Sequence, residues 1–117
     1  MELNDYQQKA MSTCLPSCNN ISYMALGLGG EMGELQGKLA KHIRKGNIVI
    51  EGNEMKVVNL SDGDMHDLLA EIGDCLWFCA GITSVLGQKL NDIAEGNVAK
   101  LASRKQRGVL DGNGDNR

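Results

Sequence analysis

The chain has 117 residues, a formal net charge of -3 and only 3% aromatic residues. This length suits one hydrophobic core, so we predict a single domain over residues 1–117. The negative charge argues against a general nucleic-acid surface, and the scarcity of aromatic residues argues against a platform that stacks single-stranded bases. No apolar run reaches the about 20 residues of a membrane span. The acidic, polar N-terminus is unlike a signal peptide. We therefore expect a cytoplasmic protein that binds neither nucleic acid nor membrane.

Helical signals recur in four segments of the chain. They predict a short helix over 4–13, two long helices over 19–45 and 64–86, and a last helix over 90–106. Gly46 and Gly87 follow the two long helices, where a C-terminal glycine is expected. Residues 108–117 have the composition of a flexible tail. The predicted fold is all-α, an antiparallel helical bundle.

The segment between the two long helices, residues 47–60, has a different pattern. Two short runs rich in β-branched residues, 48–50 and 55–58, flank a turn at Gly52 and Asn53. Such runs around a glycine-containing turn favour a strand pair. We predict a small β-hairpin or loop insertion here.

The first long helix contains five glycines: Gly27, Gly29, Gly30, Gly33 and Gly37. In a helix interior each costs about 0.5–1 kcal/mol relative to alanine. Their spacing does not fit a dinucleotide fingerprint, because methionine occupies the place of the third glycine and no strand precedes them. We expect them to permit the close approach of a neighbouring backbone.

The four cysteines occur as two pairs, Cys14 with Cys18 and Cys75 with Cys79. Zinc sites usually leave two residues between paired cysteines, whereas three intervene here. The second pair lies in an apolar helical segment, where a reduced thiol behaves as a small hydrophobe. We predict buried free thiols for this pair.

Two pairs of acidic residues are the main functional signal. Glu31 and Glu34 lie on the first long helix, Glu71 and Asp74 lie on the second, and the members of each pair are three residues apart. This spacing puts both members on one helix face. A single such pair usually marks a solvated face, but both pairs border apolar stripes expected to pack together. Four carboxylates at one place repel unless a cation lies between them. Oxygen ligands suit Mg²⁺, with Mn²⁺ as a substitute.

A di-iron bundle is the obvious alternative metal centre. It requires a Glu-x-x-His motif on two of its helices. Neither histidine fits, because leucine precedes His42 by three residues and glycine precedes His66. We predict that both histidines are surface residues.

A row of polar and basic residues follows one face of the last helix. Asn97, Lys100 and Arg104 fall at positions i, i+3 and i+7. Basic residues in a last turn also simply complement the helix dipole. Near metal-bound carboxylates, however, such a row can neutralise a polyphosphate.

With these motifs the chain resembles the MazG-like, all-α nucleoside triphosphate pyrophosphohydrolases over residues 24 to about 106. The likeness rests on three segments: Glu31-Met-Gly-Glu34, Glu71-Ile-Gly-Asp74, and Asn97-Val-Ala-Lys100 followed by Arg104. The resemblance implies a homodimer or homotetramer that cleaves a nucleoside triphosphate between its α- and β-phosphates with Mg²⁺. Nucleotide-pool housecleaning is the expected role.

The resemblance also assigns residues. The residues that match the metal ligands are Glu31, Glu34, Glu71 and Asp74, and those that match contacts to the phosphates or sugar are Asn97, Lys100 and Arg104. Phe78 lies on the acid-bearing side of its helix and is expected to pack against the base or sugar, whereas Trp77 points away as an interface or core residue. We expect Glu34 to take the proton of the attacking water.

Three other interpretations remain open. An ordinary helical bundle with surface charges would keep the same melting temperature when Mg²⁺ and a nucleotide analogue are added. A dUTPase-type relative would have the same acidic residues but would act only on a uracil nucleotide. A catalytically inactive dimerisation module would bind metal and nucleotide without releasing pyrophosphate.

Overall fold

The computed structural model describes residues 1–117 as four helices and one hairpin. In chain order these are α1 (Leu3–Met11), a 3-10 turn (Pro16–Cys18), α2 (Ile21–Arg44), β1 (Ile48–Glu51), β2 (Glu54–Val57), α3 (Asp62–Val85) and α4 (Leu90–Gln106). The predicted all-α bundle with a small β insertion is confirmed.

Local sequence signals determine where the two long helices begin and end. The side chain of Asn20 caps α2 by accepting a hydrogen bond from a backbone N–H of the first turn. Ser61 and Asp64 form a capping box at the start of α3. Gly46 and Gly87 follow the helices with positive φ angles, which glycine adopts without strain.

α2 and α3 run antiparallel and pack through two reciprocal glycine notches. Phe78 of α3 lies over Gly27 of α2, and Met24 of α2 lies over Gly81 of α3. A Cβ atom on Gly27 would be 2.0 Å from a ring carbon of Phe78, and one on Gly81 would be 2.2 Å from the Met24 sulfur. The missing side chains bring the helices close together, and this places the acidic residues of one helix opposite those of the other.

The expectation that the glycines of α2 admit a neighbouring backbone is wrong. Gly27 admits a side chain instead. At Gly29, Gly30, Gly33 and Gly37 an added Cβ would meet nothing within 4 Å. These four glycines therefore border open space within this chain.

A small core joins α1, α3 and α4. Ala10, Ala80 and Leu90 form the buried cluster, and Trp77 packs against it, as its predicted interface or core role requires. The indole N–H of Trp77 donates to the Ala10 carbonyl at 3.1 Å and to the Thr13 hydroxyl at 2.9 Å. A tryptophan in the interior needs such an acceptor for its N–H.

Gln7 links α1 to the end of α3 and the start of α4. Its side chain is buried. The amide nitrogen donates to the Ser84 hydroxyl at 2.8 Å and to the Gln88 carbonyl at 3.0 Å, and the amide oxygen accepts from the Leu90 N–H at 2.8 Å. These hydrogen bonds set the position of α4 relative to the rest of the bundle.

The predicted hairpin is present. β1 and β2 pair antiparallel with Ile48 opposite Val57 and Glu51 opposite Glu54, and Gly52 in the turn has a φ of 60°. Ile48 is buried, whereas β2 is exposed along its whole length. The hairpin therefore extends the bundle beyond the end of α2.

Two predictions about individual side chains are wrong. His42 is buried and not a surface residue, and its Nδ1 lies 3.1 Å from the Asn47 amide nitrogen; His66 is exposed, as predicted. The thiols of Cys75 and Cys79 are free but not buried: the first is half-buried and the second is exposed. The apolar face of α3 that carries this pair is only partly covered within the chain.

α3 is long and apolar enough to cross a membrane by length and composition alone, contrary to our expectation from apolar runs. Its most apolar window has a mean hydropathy of 1.4, and 33% of that window is buried. The core helix of a bundle meets the same criterion. Since α3 packs against α1 and α2 and carries Glu71 and Asp74 along its middle, the core-helix interpretation is favoured.

Candidate metal and nucleotide site

Three of the four predicted acidic ligands converge between α2 and α3. One carboxylate oxygen from each of Glu31, Glu34 and Glu71 lies within 4.8 Å of the other two. We call these three residues the acidic cluster. Asp74, almost one turn further along α3, is exposed and lies outside the cluster. Its charge still contributes to raising the pKa of Glu31, so it lies at the edge of the same site.

Glu71 is the buried member of the acidic cluster. Glu71 is 7% exposed. One carboxylate oxygen, Oε1, accepts a hydrogen bond from the Lys38 ammonium at 2.5 Å, whereas Oε2 is buried without any partner. An unpartnered buried acceptor destabilises a protein. Three converging carboxylates with one free buried oxygen match the ligand set of a hard divalent cation, so the residues present fit a metal of this class.

The charges of the site shift its pKa values in opposite directions. Burial raises the pKa of Glu31, and the neighbouring carboxylates of Glu34, Asp74 and Glu71 raise it further. The hydrogen bond from Lys38 lowers the pKa of Glu71 and raises the pKa of Lys38 itself. The anionic form of Glu71 is therefore stabilised by Lys38, whereas the crowding of carboxylates disfavours the anionic form of Glu31.

Lys38 is a residue of the site that the predicted acidic and basic motifs do not include. It follows Glu34 by four residues and Glu31 by seven, so all three lie on one face of α2. This spacing is the signal in the sequence that points to Lys38. Lys38 also lines a cavity of about 230 Å³ at the end of α2.

The predicted basic row of α4 is not joined to the acidic cluster within this chain. α4 packs on α1, and no hydrogen bond or ion pair links it to the cluster. Instead Lys100 and Arg104 lie 3.4 and 3.1 Å from a carboxylate oxygen of Asp115. Arg104 is buried and Asn97 is exposed. Within one chain, Lys100 and Arg104 are therefore already paired with the carboxylate of Asp115.

Residues 108–117, for which we predicted a flexible tail, fold back against α4 in the structure. The Arg117 guanidinium donates to the carbonyls of Val109 and Gly114 at 3.1 and 2.6 Å. Asp115 completes the contact, and its hydrogen bond from Arg104 lowers the pKa of this carboxyl group. The segment thus covers Arg104 and contacts Lys100, whereas Asn97 stays exposed.

Comparison with known proteins identifies the family. Residues 20–109 match the MazG nucleotide pyrophosphohydrolase domain. The chain belongs to this MazG family. It is also 34% identical over 125 residues to the Gene 37 protein of Mycobacterium phage L5, with both chains covered completely. No solved structure matched the chain. Membership confirms the resemblance noted in the sequence and supports a nucleotide pyrophosphohydrolase.

The MazG match includes both acidic pairs, Lys38 and the basic row, and it ends within the tail. Phe78 also lies inside it, but this residue is only 8% exposed and is surrounded by protein. It makes an edge-on contact with Trp77 at 5.0 Å between ring centroids and a tilted one with Tyr23 at 5.9 Å. The predicted contact of Phe78 with a base or sugar therefore stays a prediction, and its observed role is to join α2 to α3.

Proposed function

We propose that this MazG-family protein hydrolyses a nucleoside or deoxynucleoside triphosphate to the monophosphate and pyrophosphate with Mg²⁺. Clearing the nucleotide pool is the role we assign to this activity. The convergence of three carboxylates around the unpartnered buried oxygen of Glu71 carries the proposal. Such a ligand set suits Mg²⁺, which prefers carboxylate and water oxygens and is the usual partner of phosphate groups.

Each acidic residue has a distinct part in the proposed reaction. Glu31, Glu34 and Glu71 hold the cation, with Asp74 at the edge of the site. When bound, the cation neutralises charge on phosphate oxygens and lowers the pKa of water. Glu34 is the most exposed member of the acidic cluster. We therefore propose that Glu34 accepts the proton of the attacking water, because a general base needs contact with the solvent side of the site.

We also propose that the protein works as a homodimer or homotetramer. Only 13 of 117 residues are buried, and large apolar side chains remain exposed, including Ile72 on α3 and Leu101 on α4. The radius of gyration is 17.4 Å, whereas a compact domain of similar length has about 13 Å. A second copy that covers these apolar faces accounts for both observations.

Oligomer formation would also bring a basic row to an acidic cluster that lacks one in its own chain. A complementation experiment tests this arrangement. Glu71→Gln and Lys100→Gln chains are each expected to be inactive alone, and mixed oligomers are expected to regain part of the activity if the two residues come from different chains. Analytical ultracentrifugation measures the assembly, and a purely monomeric protein would contradict the proposal.

The catalytic proposal is tested by pyrophosphate release from each nucleoside triphosphate, with and without Mg²⁺. Glu71→Gln should reduce the rate by at least about 100-fold, because a neutral amide is a poor ligand for a hard cation. Glu2→Gln makes the same chemical change at an exposed residue whose side chain has no hydrogen bond, so wild-type rates are expected. Full activity of the Glu71 variant with a native circular dichroism spectrum would remove this residue from the site.

The same assay identifies a dUTPase-type relative or an inactive binding module. Release from dUTP alone would identify a dUTPase-type relative. Nucleotide binding with Mg²⁺ and no pyrophosphate release would identify an inactive binding module.

A further inference from the structure

A cation of the chain itself already lies at the acidic cluster. The Nζ atom of Lys38 is 2.5 Å from Oε1 of Glu71 and offsets the charge of the crowded carboxylates. A buried anion without a compensating partner is strongly destabilising. Lys38 therefore makes the cluster stable when no metal is bound.

Lys38 leaves one oxygen of Glu71 free. Oε2 is buried and has no hydrogen-bond partner. A divalent ion that binds this oxygen together with Glu31 and Glu34 would lie close to the Lys38 ammonium. The two cations repel each other at such short range. The lysine side chain is 38% exposed and sits on a flexible stem, so it can move away without disturbing the helix.

The cavity beside the cluster provides room for the displaced ammonium. Its lining from α2 and the following loop is Lys38, Lys41, His42, Lys45 and Asn47, and its lining from α3 is Asp64 and Asp67. Asp67 offers an ammonium group a new carboxylate partner, whereas one oxygen of Asp64 already accepts the Ser61 N–H in the capping box. The cavity therefore allows Lys38 to leave Glu71 and remain charged and paired next to the site.

We propose that Lys38 holds the place of the metal at Glu71, moves into this cavity when a divalent cation binds, and from there contacts the phosphate chain of the nucleotide. The metal exchange depends only on the acidic cluster. The phosphate contact rests on the proposed function. In this scheme Lys38 competes with the metal for Glu71 and becomes a binding residue for the substrate once the metal is bound.

Calorimetric titration with MgCl₂ in the absence of nucleotide tests the exchange. Lys38→Met should bind Mg²⁺ about tenfold more tightly than wild type, because a competing charge-assisted hydrogen bond is removed. Lys38→Arg keeps the charge and should restore wild-type affinity. Lys9→Met removes the same charge on α1, away from the cluster and the cavity, from a residue without an ion pair, and it should stay within about twofold of wild type. Equal or weaker Mg²⁺ binding by Lys38→Met would overturn the proposal.

Acetylation of lysine amines, read by mass spectrometry, tests the same movement in the unmodified chain and does not depend on a variant folding. Mg²⁺ should raise the labelling of Lys38 several-fold as the ammonium leaves Glu71, and the labelling of Lys9, which lies on α1, should not change. Unchanged or reduced labelling of Lys38 at saturating Mg²⁺ would contradict the exchange.

A second experiment tests the contact between Lys38 and the phosphate chain. Adding a non-hydrolysable triphosphate analogue with Mg²⁺ should lower Lys38 labelling again, and Lys38→Met should raise KM more than it lowers kcat. Bound analogue with undiminished Lys38 labelling would overturn this contact. If the wild-type protein releases no pyrophosphate, the proposed function fails, but the Mg²⁺ titrations still decide whether Lys38 holds the metal position.

Discussion

Replacing Gly27 by alanine tests whether the glycine notch on α2 sets the spacing of the two acid-bearing helices. The new Cβ would lie 2.0 Å from Cε1 and 2.3 Å from Cζ of Phe78. Phe78 is 8% exposed and its ring packs against Trp77 and Tyr23, so the ring has no free space to enter. Either the helices separate or the ring leaves its site.

The size of the effect follows from two opposing terms. Overpacking a core costs about 1–3 kcal/mol, and we take about 3 because several ring atoms must be displaced. Alanine regains about 1 kcal/mol through its higher helix propensity, which leaves a net loss of about 2 kcal/mol. At Gly33 of the same helix an added Cβ meets nothing within 4 Å. Gly33→Ala should therefore be about 1 kcal/mol more stable than wild type, from propensity alone.

Urea unfolding followed by circular dichroism measures both variants. All proteins are compared at one protomer concentration, because the stability of an oligomer depends on it. The free energies of unfolding of the two alanine variants should differ by about 3 kcal/mol, and propensity cancels from this difference. A Mg²⁺ titration of folded Gly27→Ala should also show weaker binding, since moving the helices apart separates Glu31 and Glu34 from Glu71.

Two results would refute this reasoning. Equal stabilities of the Gly27 and Gly33 variants would show that the Phe78 ring yields freely and that the notch does not hold the helices. A destabilised Gly27 variant with wild-type Mg²⁺ affinity would show that the notch supports the fold without setting the geometry of the acidic cluster.

Two further predictions concern contacts outside the cluster. Gln7→Met should lower the free energy of unfolding by about 2 kcal/mol, because the Leu90 N–H loses its buried acceptor; an unfolding curve that overlays wild type would contradict this. Acid should release residues 108–117 from α4, because Arg104 lowers the pKa of the Asp115 carboxyl group. The stabilisation by this ion pair is complete above the ordinary aspartate pKa. It is lost as the pH falls through the lower pKa that Asp115 has in the folded protein. Amide hydrogen exchange of this segment at near-neutral pH and at about pH 2, well below the ordinary aspartate pKa, measures the release, and Asp115→Asn should show equal protection at both.

The number, order and approximate ends of the helices were predictable because they depend on neighbours in the chain. α2 was predicted over 19–45 and spans Ile21–Arg44, with Asn20 as its cap. The hairpin was predictable for the same reason, since its strands are adjacent and its turn contains glycine. Periodicity and capping act over a few residues, so the sequence alone carries them.

The acidic cluster was only partly predictable. A three-residue spacing places Glu31 and Glu34 on one face of α2 whatever the fold, but the register between α2 and α3 is set by the side chains that enter the glycine notches. That register brings Glu71 into the cluster and leaves Asp74 at its edge. It also brings Lys38 to Glu71, a contact between residues 33 positions apart.

The sequence by itself determined the helices, the family and the residue types of the site. The tertiary structure decided that His42 is buried while Cys79 is exposed, and that Arg104 pairs with Asp115 and not with a carboxylate of the cluster. These outcomes depend on which helix faces meet and on hydrogen bonds such as those of Gln7, which join segments about 80 residues apart. Local periodicity says which residues share a face, but only packing decides what that face touches.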